Sequence, residues 1–322
     1  MRTRRAFIAT ALALAATSTA CGTTEAPTGP APEAGGPPVS VVDSRGEEVR
    51  LDHPAKRVAA TEWNAAEYLV SLGVMPTAIS DVRGYGRYST AAPLDASVAD
   101  IGTRGEPSID ALGSLDLDLV VVTGDLPEGA LAQIEAKVPV IVIPGGNAQD
   151  PIGAMFGNVD LLAKATGTEN AAARLKSEFD AKIEQGRTAV QRAGMSGKPV
   201  AFADAYVNAG SVTIRPYTSG SLVGSVFDRI GLPSAWRMEG DPAYGLAQTD
   251  VEGLTTLGDV PFWYNATSGD PFAENLAGNP IWTSLPFVRR GEVHHLPGPL
   301  WTFGGPKSME RFVDAAIAAV QA

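Results

Sequence analysis

Apolar residues along this chain alternate between short continuous runs and longer stretches with helical spacing. The runs "RVAAT" (Arg57 to Thr61), "TAIS", "DLVVVTG" (Asp118 to Gly124) and "PVIVIPG" (Pro139 to Gly145) are bounded by turn residues and show no polar alternation. A strand reads this way when both its faces are covered, as in a parallel sheet flanked by helices. Helical segments alternate with these runs. One is "NAAEYLVSLG" (Asn64 to Gly73), with Asn64 as its N-cap and Gly73 as its stop. Ahead of them, "VSVVDSRGEEVRL" predicts a hairpin turning at Asp43-Ser44-Arg45-Gly46.

The longest helical segment, Gly167 to Gly194, interrupts the alternation. Thr168 is a fitting N-cap, and Ala172, Leu175, Phe179, Ile183 and Val190 recur near helical spacing. About 25 residues at 1.5 Å each reach about 38 Å, enough to brace two lobes and resist a wide hinge opening. The α/β pattern then restarts. "KPVAFADAY", "VPFWYN" (Val260 to Asn265) and "EVHHLP" read as strands, "SLVGSVFDRIG" (Ser221 to Gly231) as a helix, and "SMERFVDAAIAAVQA" as a closing amphipathic helix. The expected fold class is therefore α/β: two three-layer α/β lobes, 39–166 and 195–322, joined by a single long helix at 167–194. Such a pair leaves a cleft, and clefts between lobes are default ligand sites.

Before Val39 no such pattern exists. "MRTRRAFIATALALAATSTAC" has a basic start, an apolar run from Ala6 to about Ala16 and small residues before Cys21, so 1–20 reads as an export signal. The apolar run is too short to span a bilayer. Ser18-Thr19-Ala20-Cys21 looks like a lipobox with Ser18 in place of the usual leucine, making Cys21 the lipidated mature N-terminus. "TRRAFIA" resembles a twin-arginine signal, and a plain Sec signal explains the same residues. Cys21 is the only cysteine, so no internal disulfide can form. The Pro/Gly/Thr-rich stretch to Pro38 completes a 21–38 linker that reads as a disordered tether.

Composition narrows the function. Of 322 residues, 44% are hydrophobic and 19% charged, and the net charge is −11, more negative by three once the arginines of the signal are gone. That acidity argues against nucleic acid as a partner and against any membrane contact beyond the lipid anchor. Enzyme motifs are missing: no GxSxG, HExxH, P-loop or strand-to-helix GxGxxG occurs. His294 and His295 are neighbours in a predicted strand and point to opposite faces, which argues against a multi-histidine metal site.

Aromatics and arginines on predicted loops stand out instead. Trp63 follows a strand; Tyr85 and Tyr88 lie in "DVRGYGRYST"; Tyr244 follows Trp236; Trp301 and Phe303 lie in "GPLWTFGG". Either each packs locally, as Trp236 and Trp263 readily would, or the loops share an apolar pocket. In "DIGTRGEP", Arg104 sits in a glycine-punctuated turn, either paired with Glu106 or aimed at an oxygen-rich ligand. Aromatics with one or two arginines suit a bulky, largely neutral ligand edged with oxygens.

"HPAKRVAATEWNAAEYLVSLGV", "DIGTRGEPSIDALGSLDLDLVV", "IWTSLPFVRRGEVHHLP" and "LWTFGGPKSMERFVDA" are similar, in order and spacing, to class III substrate-binding proteins of ABC importers. The likeness is to the ferric-hydroxamate-binding branch and its Gram-positive lipoprotein relatives, and covers the chain from Val39 onward. The resemblance implies a helical-backbone, class III fold and capture of a ferric siderophore, a hydroxamate such as a ferrioxamine, for iron uptake. Arg104 would bond the hydroxamate oxygens. Tyr88, Tyr244 and Trp301 match ligand-packing aromatics, the second after one inserted residue. Trp63, Tyr85 and Phe303 would complete the enclosure. Where the family has a tyrosine hydroxyl this chain has Leu126, a gap that Arg215 or Tyr217 in the "TIRPYTSGS" loop would fill. Asp110 and Glu252 match the acids that dock the permease, though each also suits the first turn of a helix. No cofactor and no direct metal ligand are implied, since the siderophore holds the iron. The partners are an ABC permease with its ATPase, and the chain is expected to be a monomer. Other readings are a mixed-ligand or catecholate siderophore, cobalamin, haem, a bare ferric ion, or an extracellular hydrolase. Cleft-facing Arg83, Arg87, Arg215 and Arg237 would favour a catecholate.

Overall fold

The computed structural model describes residues 36–266 and 269–321; the export segment, Cys21 and the linker as far as residue 35 lie outside them. The first sheet has five strands in the order Ala99–Asp100, Ala78–Ile79, Val58–Ala60, Leu119–Thr123, Val140–Ile143, all parallel. Every residue of its three longest strands is buried, which is why those runs carry no alternation. The opening hairpin pairs Val39–Val42 with Glu48–Leu51 and turns through Gly46.

The second sheet is mixed. Its order is Ser211–Pro216, Ala201–Asn208, Phe262–Tyr264, Val293–His295, with the first pair antiparallel and the others parallel. The stretch "TIRPYTSGS", expected as a loop, is thus strand as far as Pro216. The chain reverses at Ala209-Gly210, both with positive φ, and runs back beside the strand it has just left.

The long helix spans Glu169–Arg192 and buries Ala172, Leu175, Phe179, Ile183 and Val190 together with Gly186 and Ala189. Thr168 holds the cap position without capping; its hydroxyl instead lies 2.8 Å from Thr166 Oγ1. The helix packs on Pro151–Thr166 and on the C-terminal helix Pro306–Gln321. A central apolar core runs unbroken from the inner face of the first sheet, through these helices, to Phe202, Phe227, Trp263 and Phe312 at the second. Each sheet has its own further core on the outer side. The cleft therefore has a solid floor.

Two helices begin where the sequence reading did not expect. The first-lobe helix is Trp63–Ser71, so Asn64 lies inside it and Glu62 at its cap. The second, Val82–Tyr88, replaces the expected glycine-rich loop. Asp81, at φ 52, caps it by accepting from the Gly84 amide. Glycine at 84 is needed for contact, since a Cβ there would lie 2.4 Å from the Trp63 ring.

One buried acid ties distant parts together. Glu67 is fully buried, and its carboxylate accepts from the Ser308 amide at 2.9 Å, the Ser308 hydroxyl at 2.7 Å and the Ser89 hydroxyl at 3.1 Å, with a further backbone bond from Gly305. It thereby satisfies free amides at the start of the C-terminal helix, beside the loop carrying Trp301 and Phe303. Burial pushes its pKa up while these four donors pull it back.

Candidate ligand-binding site

Two adjoining cavities lie between the sheets. One, of about 320 Å³, is lined by Glu62, Asn64, Arg104, Thr123, Asp125, Arg215, Tyr244, Leu246, Trp301 and Phe303. The other, of about 250 Å³, includes Tyr88, Asp204, Arg215, Asn265, Trp301 and Thr302. They meet at Arg215 and Trp301, which line both.

Between the lobes runs a continuous arc of rings. Tyr88 stacks on Trp63 with centroids 5.8 Å apart, and Trp63 meets Trp301 edge-on at 4.9 Å. Trp301 meets Phe303 at 5.3 Å, and Phe303 meets Tyr244 at 5.5 Å. Aromatics expected on separate loops are thus brought into one cluster. Tyr244 reaches across from the second lobe, and its hydroxyl donates to Asp125 at 3.1 Å. Its ring lies over Gly145, where a Cβ would come within 2.1 Å of the hydroxyl.

Two of the expected contact residues sit elsewhere. Tyr85 faces the core at 1% exposure, its hydroxyl donating to the Ala92 carbonyl at 2.6 Å, because it falls on the inner side of the unexpected helix. Trp63 is buried and lines neither cavity; its indole donates to the Ser80 carbonyl and its ring lies 4.4 Å beneath the Arg104 guanidinium. Trp63 is a platform for that arginine.

Arg104 stands at the tip of a tight hairpin, Gly102–Thr103 paired with Glu106–Pro107, that turns on Gly105. Its Nε donates to Glu62 at 2.6 Å, so the partner is not the sequence neighbour Glu106. The guanidinium lies against both the Trp63 and the Trp301 rings, 4.4 and 5.2 Å from their centroids. Arg215 is held by Asp204, its cross-strand partner in the hairpin, through Nε at 2.8 Å and through Nη2. Tyr217 follows on the same face, its hydroxyl 2.9 Å from both Asp204 and Thr302. Burial and then the Asp125 carboxylate push the Tyr244 phenol up to about 12, and burial and then Asp204 push Tyr217 well above its ordinary value. Both phenols are neutral at physiological pH.

Leu126 is buried in the outer core of the first sheet, and it is its neighbour Asp125 that faces the cleft. Arg83, Arg87 and Arg237 are exposed and line neither cavity. Asp110 is exposed in the first turn of Ile109–Ser114, behind the capping Ser108. Glu252 is exposed ahead of a single 3₁₀ turn, Gly253–Thr256, where an ordinary helix was expected. His294 lies 3.7 Å from Glu292 and the His295 ring stacks on Tyr264, so the two part as the strand geometry requires. Glu62, Asp125 and Asp204 were not anticipated. Alternation in "AFADAY" and the turn at Ala209-Gly210 would have put Asp204 beside Arg215; nothing local marks Glu62.

A family model described as periplasmic binding protein matches residues 58–300. The chain is 24% identical over 267 residues to the iron(3+)-hydroxamate-binding protein FhuD of Escherichia coli, covering 82% of this chain and 86% of that one. Among solved structures it resembles the Fe3+-Desferal-bound siderophore-binding protein FhuD of Vibrio cholerae, with a TM-score of 0.74 at 24% identity over 83% of this chain and 98% of that one. It also resembles the triscatecholate siderophore-binding protein FeuA of Bacillus subtilis, with a TM-score of 0.68 at 18% identity over 88% and 98%. At these identities the structural likenesses establish the fold.

Proposed function

The chain belongs to the periplasmic binding protein family, and on that footing we propose that it is the exported capture protein of an ABC importer, holding a ferric siderophore of the hydroxamate class in the cleft. The observation that carries this reading is the arc from Tyr88 to Tyr244 with the Arg104 guanidinium set against two of its indoles. A ferric hydroxamate is a carbon framework around an oxygen-coordinated metal. The cavity-lining rings of Tyr88, Trp301, Phe303 and Tyr244 pack against the framework, and the Nη groups of Arg104 donate to the oxygens. The small number of cavity-lining arginines supports hydroxamate over the strongly anionic catecholates. Burial and the neighbouring carboxylates raise the pKa of the Tyr217 and Tyr244 phenols, which makes the deprotonation that bare ferric ion requires costlier. The siderophore holds the iron, and the protein binds and hands over without chemistry.

In this reading Cys21 carries the lipid anchor on the outer face of the membrane, and residues 21–38 are its tether. The binding unit divides into lobes 39–166 and 195–322 about the helix at 167–194. Asp110 and Glu252, outside both cavities, dock the permease that works with its ATPase. Quenching of cleft tryptophan fluorescence tests the assignment. Titration with ferric trihydroxamates should saturate at micromolar concentrations or below, and ferric catecholates, cobalamin, haem and ferric salt should bind at least tenfold more weakly. A catecholate or cobalamin binding tighter than every trihydroxamate would overturn it.

A further inference from the structure

The two cleft arginines are not bare cations. Arg104 gives its Nε to Glu62, and Arg215 gives Nε and Nη2 to Asp204. Both carboxylates are largely withdrawn from water, with side chains 17% and 16% exposed, while the arginine side chains remain 37% and 35% exposed. With Asp125 also on the wall, the cleft side chains named carry two positive and three negative charges. The donors left toward the cavity are the Nη groups of Arg104 and Nη1 of Arg215.

Donors paired in this way give directional hydrogen bonds without a net positive field. A ligand oxygen that is a neutral or weakly charged acceptor gains the bonds. A trianionic chelate gains the same bonds and must also sit over two carboxylates, 17% and 16% exposed, that water screens only in part. The second pair is written into the sheet, since Asp204 and Arg215 are register partners and the Tyr217 hydroxyl lies beside the same carboxylate.

We propose that Glu62 and Asp204 are specificity-determining residues, which restrict the cleft to ferric chelates of zero or positive net charge by neutralising the arginines that read the ligand. This rests on the siderophore-binding reading above and narrows its substrate class. The wall favours a trihydroxamate that is neutral or bears a pendant ammonium.

The test uses the mature chain and its Glu62→Gln/Asp204→Asn variant, whose amide oxygens can still accept from the arginines. Three probes are titrated by tryptophan quenching: a neutral ferric trihydroxamate, one carrying a single ammonium, and a trianionic ferric tris-catecholate. The unaltered protein should bind the first two and hold the third at least a hundredfold more weakly. In the variant the ratio of tris-catecholate to neutral-chelate affinity should rise tenfold or more, whatever the common change in both. Glu62→Gln alone should show the same shift at about threefold, so a double variant that fails to fold does not end the test. An unchanged ratio, or an equal change for all three probes, overturns the role of the two acids and leaves the siderophore reading standing. Failure of the unaltered protein to bind any trihydroxamate overturns the reading itself.

Discussion

On the first-lobe wall an arginine stands at the tip of a two-residue turn, set against two indoles and tied through Nε alone. On the second-lobe wall an arginine lies within a strand, fixed by register, by two bonds to one carboxylate and by a tyrosine on the same face. The chemical pair is the same and its mechanical setting is opposite. Arg104 has no side-chain bond to either Nη group among the described residues, which leaves both for a ligand in the proposed site. Arg215 is committed first to the sheet. Where a charge sits in the scaffold decides whether its loss is felt in binding or in folding.

The comparison can be broken by substitution. Arg104→Ala should have the largest effect on affinity, a ten- to hundredfold loss for a ferric trihydroxamate, equivalent to about 1.5–3 kcal/mol. Its urea midpoint should barely move, because Glu62 sits at a helix start and can take up water. Arg215→Ala should cost about three- to tenfold in affinity, but also about 1–2 kcal/mol of stability. The stability loss stays below the 3–5 kcal/mol of a fully buried pair because this arginine is partly exposed. Paired titration and urea unfolding of the two variants decide the matter, and a larger stability loss in the Arg104 variant would invert the contrast. The smallest change in affinity belongs to Asp110→Lys with Glu252→Lys, within about twofold, since neither acid lines a cavity. Iron uptake by cells should nonetheless fall sharply in that double variant, because rim charges steer docking. Normal uptake would remove both acids from the permease interface.

The same contrast explains what could be read from the chain. Continuous apolar runs announced the first sheet, and helical periodicity announced the long helix with its five buried apolar positions. The second-lobe hairpin was obscured because its far end projects into solvent: Tyr206 and Val207 are exposed, so alternation there marks no buried face. Val82–Tyr88 was missed because two glycines in seven residues read as a loop, whereas Asp81 and the Trp63 contact settle it as helix. For Arg104 the nearest acid in sequence, Glu106, was the natural partner; the fold supplies one 42 residues away. Aromatic clustering was legible as composition on loops. The carboxylates that set the cleft's charge were not, since each depends on a pairing between distant segments.

Glu67 bears on how the molecule assembles. Two of its hydrogen bonds come from Ser308, 241 residues later in the chain, so a newly made first half carries that acid without these donors. Closing so long a loop adds little to the equilibrium cost, which grows only logarithmically, but it delays the contact. Until the last helix arrives, the segment bearing Trp63 holds a carboxylate that prefers water to its apolar surroundings. Full burial of this acid therefore has to await the docking of the first helix against the last, and the surface shared by Trp63 and Trp301 should be among the last parts to form.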